Sequence, residues 1–278
     1  MTAATSRFDE IDIEAARKAL LGTRFAAVPM HFPTIGSTNT ALLEAAANGA
    51  AEGTVYVADE QTAGRGRGGH TWHSEPGHGL YVSALAKPSL QLKDALLLSL
   101  ATGLAVQQAV REVAAVALDI RWPNDLLLTN ADGRTRKCGG ILVETAVEPG
   151  SDPWLRYAVI GVGLNVHHAA FPPQLAELAT SLRLATDAAL ARTPLLIALL
   201  RALDLELAAL ERDPAAGHAS LLARFAEASS WVRGKRVHVP EQGGYTGCTS
   251  GLDSRGFLLV ASDDGLQRTV LSGGVREA

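Results

Sequence analysis

Cysteine is nearly absent. Cys138 and Cys248 are the only two in 278 residues, so neither a disulfide framework nor a four-thiolate zinc site can be built from this chain. Charge of one sign is also lacking, with a formal net charge of −4 and charged residues at 19%. That balance argues against a broad basic face for nonspecific DNA binding, which has to neutralise phosphates, but leaves room for a small local anion site. The apolar, charge-free run Ala95 to Val110 is shorter than the ~20 residues of a membrane span and carries Ser99, Thr102, Gln107 and Gln108. No N-terminal segment combines a basic head, an apolar middle and a small-residue cleavage site. The expectation is a soluble cytoplasmic protein with no membrane and no DNA partner. Two catalytic signatures are missing as well: a phosphate-binding G-x-x-x-x-G-K-[ST] loop and a G-x-S-x-G nucleophile elbow.

Apolar residues are plentiful at 47%, enough for a sizeable core, and the length suits one large domain or two unequal ones. Glycine is in excess at 27 residues. Its clusters, Gly64–Gly69, Gly77–Gly79, Gly139–Gly140, Gly161–Gly163, Gly243–Gly251 and Gly273–Gly274, punctuate the chain. Periodicity predicts helices over Phe8–Leu21, from Thr38 to about Asn48, and over Lys93–Ala114, Thr193–Glu211 and Ala219–Ser229. Strands are predicted over Thr54–Asp59, Leu80–Leu85, Gly140–Val147 and Leu155–Val166, with two short ones flanking Trp122-Pro123-Asn124-Asp125. After Trp231 the texture changes to short alternating runs, Lys235–Val239, Tyr245–Gly251, Gly256–Ala261 and Leu266–Leu271, separated by Gly and Asp turns. This predicts a mixed domain of helices and strands over residues 1–230 and a small β barrel over 231–278.

Four segments can carry chemistry, and each also has an ordinary reading. Gly64-Arg65-Gly66-Arg67-Gly68-Gly69 contains G-x-G-x-x-G, but His73-Ser74-Glu75-Pro76-Gly77 follows where a dinucleotide fold needs a helix N-terminus. What remains is a flexible loop whose backbone amides and two guanidinium groups suit an anion; otherwise it is a solvated turn. Arg121-Trp122-Pro123-Asn124-Asp125 presents an amide beside a carboxylate, suited to a ribose, a metal or an amine, or simply caps a hairpin. Lys137, just ahead of Gly139-Gly140 and an apolar strand, is a cation at a strand mouth or a surface lysine at a turn. Gly161-Val162-Gly163-Leu164-Asn165 permits close backbone approach or is a tight strand bend. His70, His73 and His78 lack the spacing of a tetrahedral zinc site, and His167 and His168 read as surface residues.

Together these segments resemble the bacterial biotin–protein ligase family. The order is Gly36-Ser37-Thr38-Asn39, then Glu60-Gln61-Thr62-Ala63-Gly64-Arg65-Gly66-Arg67-Gly68-Gly69 through Trp72, then Arg121-Trp122-Pro123-Asn124-Asp125, Lys137 with Gly139-Gly140-Ile141-Leu142-Val143-Glu144, and Gly161-Val162-Gly163-Leu164-Asn165-Val166. The resemblance implies an α+β fold, a mixed sheet with flanking helices as in class II synthetases, followed by an SH3-like barrel. It implies that biotin is joined to ATP as biotinyl-adenylate and passed to one lysine of a biotin carboxyl carrier domain. Ser37, Thr38, Asn39, Gln61, Gly64, Arg65, Gly66, Arg67 and Lys137 are then the biotin residues. Trp72, Arg121, Asn124, Asp125, Lys137 and Asn165 surround the nucleotide and its Mg²⁺, which arrives with ATP and has no dedicated protein site. Lys137, Arg67 and Asp125 become the catalytic group, Asp125 as partner or base for the acceptor amine.

Gly68 and His70 stand where the family often has arginine, Arg121 where lysine is common, and the ending Gly273-Gly274-Val275-Arg276 is compressed, which leaves a site role for Arg276 open. About thirty residues precede the first motif, too few for a winged helix-turn-helix, so no repressor activity is expected. The resemblance also implies a ligand-dependent homodimer. Two other readings stand beside it: a lipoate- or octanoyl-transfer relative, and a non-enzymatic biotin-sensing regulator.

Overall fold

The computed structural model describes residues 9–186, 190–241 and 243–278. Phe8, where the first predicted helix begins, lies outside them; the helix itself, α1 (Ile13–Ala19), is short and capped by Asp12, whose carboxylate accepts from Ala15 N. Strand β1 (Met30–Phe32) follows, then α2 (Thr38–Ala47), β2 (Val55–Ala58), β3 (Gly79–Ala86) and the long α3 (Leu96–Ala114). A hairpin of β4 (Asp119–Arg121) and β5 (Asp125–Thr129) leads into β6 (Thr135–Val147) and β7 (Leu155–Asn165). Helices α4 (Leu182–Thr186), α5 (Arg192–Arg212) and α6 (Pro214–Ala228) complete the larger part.

These strands form one seven-stranded sheet in the order β1-β2-β3-β7-β6-β5-β4. Only β1 and β2 are parallel; the remaining pairs are antiparallel, so the sheet is mixed. Strand alternation decides what each face meets. Ala158, Ile160, Val162 and Leu164 of β7 enter the main core with the apolar faces of α3, α5 and α6. Tyr157 and Val159 face the other way and pack with Leu85 under Leu42 and Ala46 of α2. The next residues on that second face are Gly161 and Gly163, so the apolar floor under α2 runs into a bare strip of backbone.

The second sheet is antiparallel, in the order β11-β10-β9-β8-β12, from β8 (Arg233–Val239), β9 (Tyr245–Leu252), β10 (Leu258–Ser262), β11 (Gln267–Val270) and β12 (Arg276–Glu277). Val237, Val239, Leu258, Val260, Val270 and Val275 are buried in the same core as α3 and α5. Trp122, fully buried in the β4–β5 turn, donates its indole N–H to Gly256 O at 2.9 Å, so the smaller sheet is fastened to that turn.

Three expectations need correction. β6 begins at Thr135, not Gly140, because its ladder with β5 continues backwards past a bulge at Leu126/Leu127. Lys137 is therefore inside a strand and not at its mouth. β1 and β12 were not anticipated: β1 is three residues between Pro29 and Pro33, and β12 is two residues, both too short for alternation to register. Among the described residues, no helix is long and apolar enough to cross a membrane.

Candidate active site

The site is built on the N-terminus of α2. Ser37 is its N-cap, accepting from Thr40 N at 3.4 Å. A side-chain cap of this kind contributes about 1 kcal/mol, and it fixes the next two side chains against the sheet. Thr38 donates both its backbone N–H (2.8 Å) and its hydroxyl (3.1 Å) to Gln61 Oε1. Ser83, fully buried on β3, lies within hydrogen-bond distance of Thr38 Oγ1 and Asn39 Oδ1, at 2.8 and 2.6 Å. Asn39 donates its amide to Leu142 O and to Glu144 Oε2. The result is a polar patch, donors and acceptors mixed, buried where an apolar floor would otherwise continue.

The bare strip of β7 explains the two glycines. A Cβ on Gly161 would lie 2.2 Å from Asn39 Oδ1, and one on Gly163 would lie 2.8 Å from the indole of Trp72. Glycine is required at both because a side chain and the strand backbone occupy the same space. Gly140, opposite Gly163 on β6, lies under Lys137: its Cβ would meet Lys137 Cε at 3.4 Å. The Lys137 ammonium is 5.7 Å from the Trp72 ring centroid and ion-paired with Asp125. The Lys137 backbone is also pinned, donating to Leu178 O and accepting from Thr180 N, each at 2.9 Å.

Two connected hollows result, sharing Trp72 and Lys137 in their walls. The smaller, about 460 Å³, is lined by Ser37, Thr38, Asn39, Gln61, Arg65, Gly66, Arg67, Asn124 and the glycines of β6 and β7. The larger, about 1320 Å³ and open to solvent, is lined by His70, His73, Arg121, Asn165, Phe171 and Trp231, with Glu277 at its rim. Arg121 lies over the Trp231 ring at 5.3 Å and pairs with Asp125 at 2.6 Å.

The glycine-arginine loop forms a clasp over the smaller hollow. It closes on itself through Gly66 N to His70 O and Trp72 N to Gly64 O, with Gly68 and Gly69 at positive φ. Arg65 pairs with Glu144 at 2.6 Å and donates to Thr40. Arg67 reaches to the smaller sheet's end and donates to Gly273 O at 2.6 Å. Burial lowers the Arg67 pKa, against the opposing pull of Glu241 and Asp125.

Most of the residues singled out from sequence are therefore brought together. The exceptions are informative. Gly64 is packed beneath Trp72 and does not line either hollow. Asp125 lies behind Lys137. Burial alone would raise its pKa, but Lys137 and Arg121 outweigh that and hold it below the usual carboxylate range. Such a carboxylate is a weak base, so its position suits holding Lys137 more than deprotonating an amine. Arg276 is exposed on β12, where Glu277 and not Arg276 reaches the hollow. His168 is buried, not on the surface, and burial with the neighbouring His78, His73 and His167 pushes it down to about 3. Ser83 and Glu144 were missed as site residues. A serine in the otherwise apolar Leu80–Leu85 run is the available signal for the first; Glu144 closes the Gly139–Glu144 motif, but only the fold shows it reaching Arg65 and Asn39.

Residues 31–165 match the model of the biotin/lipoate A/B protein ligase family, and residues 233–275 match the biotin protein ligase C terminal domain. Over 246 residues the chain is 35% identical to the biotin--[acetyl-CoA-carboxylase] ligase of Mycobacterium tuberculosis, covering 86% of this chain and 84% of that one. It is 39% identical over 155 residues to the bifunctional ligase/repressor BirA of Bacillus subtilis, a match that spans 55% of this chain and 45% of that protein. In structure it is similar to the biotin protein ligase from Aquifex aeolicus in complex with biotin and ATP, with a TM-score of 0.72 and 27% identity over 90% of this chain and 98% of that one.

Proposed function

The chain belongs to the biotin/lipoate A/B protein ligase family, and from that premise we propose that it activates biotin with ATP and transfers the biotinyl group to one lysine of a biotin carboxyl carrier domain. In the first step a biotin carboxylate oxygen bonds to the α-phosphorus, and the bond from that phosphorus to the β-phosphate's bridging oxygen breaks, releasing pyrophosphate. In the second, the carrier amine bonds to the acyl carbon, AMP leaves with the former carboxylate oxygen, and the amine loses a proton.

One observation carries this reading: the Lys137 ammonium stands in the shared wall of the two hollows. Two anions, a carboxylate and a triphosphate, must meet there, and a fixed cation offsets their repulsion and the charge that develops on the phosphoryl oxygens. Thr38, Asn39 and Gln61 line the smaller hollow with both donors and acceptors suited to a ureido ring, whereas a dithiolane or an alkyl chain would make no use of them. That favours biotin over lipoate or octanoate. Trp72 offers an aromatic face to the nucleotide side. The clasp, with Arg65 and Arg67, covers the smaller hollow and keeps water from a mixed anhydride that hydrolysis would destroy.

Mg²⁺ would accompany the triphosphate. Asp125 and Glu144 are already committed to cations, but Asn124 and Asn165 spend their amide N–H groups on Ile141 O and Thr180 O and leave hard carbonyl oxygens. Those two side chains fit an ion held mainly by phosphate, and the ion would supply charge neutralisation on the phosphates. Within the same reading residues 1–230 carry the chemistry, 231–278 close one side of the cleft, the reaction belongs to the cytoplasm, and bound adenylate favours a homodimer.

The deciding experiment is incubation with ATP, Mg²⁺, biotin and a carrier domain, read by intact mass. One added biotinyl group per carrier is expected, with none when lipoate or octanoate replaces biotin. Unmodified carrier with biotin, or equal modification with lipoate, overturns the proposal.

A further inference from the structure

The loop that follows Trp72 and the loop that follows β7 meet beside the larger hollow. His73 and Glu75 stand two apart on an irregular stretch, and His168 comes from three residues beyond Asn165. Their donor atoms all lie within 4.8 Å of one another. His168 is wholly shielded from solvent, and among the described residues neither of its ring nitrogens has a hydrogen-bond partner. Its ring is 5.9 Å from that of His73 and stacks at 5.0 Å on Phe171, with an interplanar angle of 11°. A neutral imidazole carries one donor and one acceptor, and a protein rarely buries both without a partner. Among the described residues no group supplies one; a metal ion would take the acceptor nitrogen.

We infer that His73, Glu75 and His168 form a site for a divalent transition ion of zinc's class, separate from any Mg²⁺ that travels with ATP. Two imidazoles and one carboxylate are a borderline donor set, matched to Zn²⁺ and poorly matched to Mg²⁺, which prefers oxygen. Three protein donors leave a fourth tetrahedral position to water. Donors around zinc stand about 3.3 Å apart at bond lengths of ~2.0 Å, so binding draws the trio in by about an ångström, a movement open to the partly exposed Glu75 and His73. The bound ion would tie the segment leaving Trp72 to the segment leaving Asn165, two walls of the larger hollow.

The test uses the full chain without an affinity tag, stripped with chelator, desalted, and titrated with Zn²⁺ in the absence of nucleotide against a chromophoric chelator. One tight Zn²⁺ per chain is expected, with a rise in Tm that grows with free Zn²⁺. Co²⁺ in its place should give the intense visible bands of a tetrahedral site. His168→Ala, and separately His73→Ala and Glu75→Gln, should each weaken binding at least tenfold. His73 and Glu75 lie at the partly exposed side of the trio, so those two variants answer the question even if His168→Ala does not fold. Absence of stoichiometric Zn²⁺ binding by the wild type, or unchanged affinity in both His73→Ala and Glu75→Gln, overturns the inference.

Discussion

Lys137 and Asp125 are ion-paired across the ladder between β6 and β5, and Arg121 holds the carboxylate's other oxygen at 2.6 Å. The carboxylate thus fixes the direction of an ammonium that would otherwise swing on four methylenes. Lys137→Met is expected to lower adenylate formation at least a hundredfold, measured as biotin-dependent pyrophosphate release. Asp125→Asn should lower the same step about tenfold and leave single-turnover transfer from preformed adenylate within a factor of two. A transfer defect larger than the activation defect would instead make Asp125 the base for the acceptor amine.

The same pair gives a pH signature. The Asp125 carboxyl is held below its ordinary value, so its contribution to stability is present above the unfolded-state pKa of about 3.9 and is lost as pH falls through the lower folded-state value. Wild type and Asp125→Asn should therefore differ in Tm at pH 7, and the difference should shrink below about pH 4. A gap that is constant from pH 7 to pH 3 refutes the assignment.

Under the proposed function, Gly161 serves the biotin side and Gly163 the nucleotide side. Gly161→Ala places a methyl 2.2 Å from Asn39 Oδ1 and should raise KM for biotin tenfold or more with little change for ATP. Gly163→Ala presses on Trp72 at 2.8 Å and should do the reverse. Steady-state kinetics with each substrate varied in turn checks both.

Arg67 anchors the clasp to Gly273 O. Arg67→Ala should leave biotin binding nearly intact but let adenylate escape, with a dissociation rate at least tenfold higher in a filter-trap measurement. Equal retention by the variant removes the clasp from the mechanism.

Trp122 spends its indole N–H on Gly256 O. Trp122→Phe replaces the indole with a smaller phenyl ring and orphans a buried carbonyl, the latter alone a loss of about 1–3 kcal/mol. A drop in Tm of several degrees is expected, with KM values unchanged.

Much of this is legible in the sequence. Ser37 to Asn39, Gln61, Arg65 to Arg67, Trp72 and Lys137 belong to contiguous motifs, and all of them line one cleft. The long strands read as nearly continuous apolar runs because β3 and β7 bury nearly every residue. The illegible parts depend on partners far along the chain. Nothing near Asp125 says that its carboxylate faces Lys137, twelve residues on. Nothing near His168 says that the loop after Trp72 will enclose it. The start of β6 was misjudged because Arg134, Arg136 and Lys137 look like a solvated turn until β5 is laid beside them.

The bond from Arg67 to Gly273 O makes the stretch after Val270 a handle on the glycine-arginine loop. A fusion, clip or antibody applied to residues 271–275 acts on the clasp from a stretch that lines neither hollow.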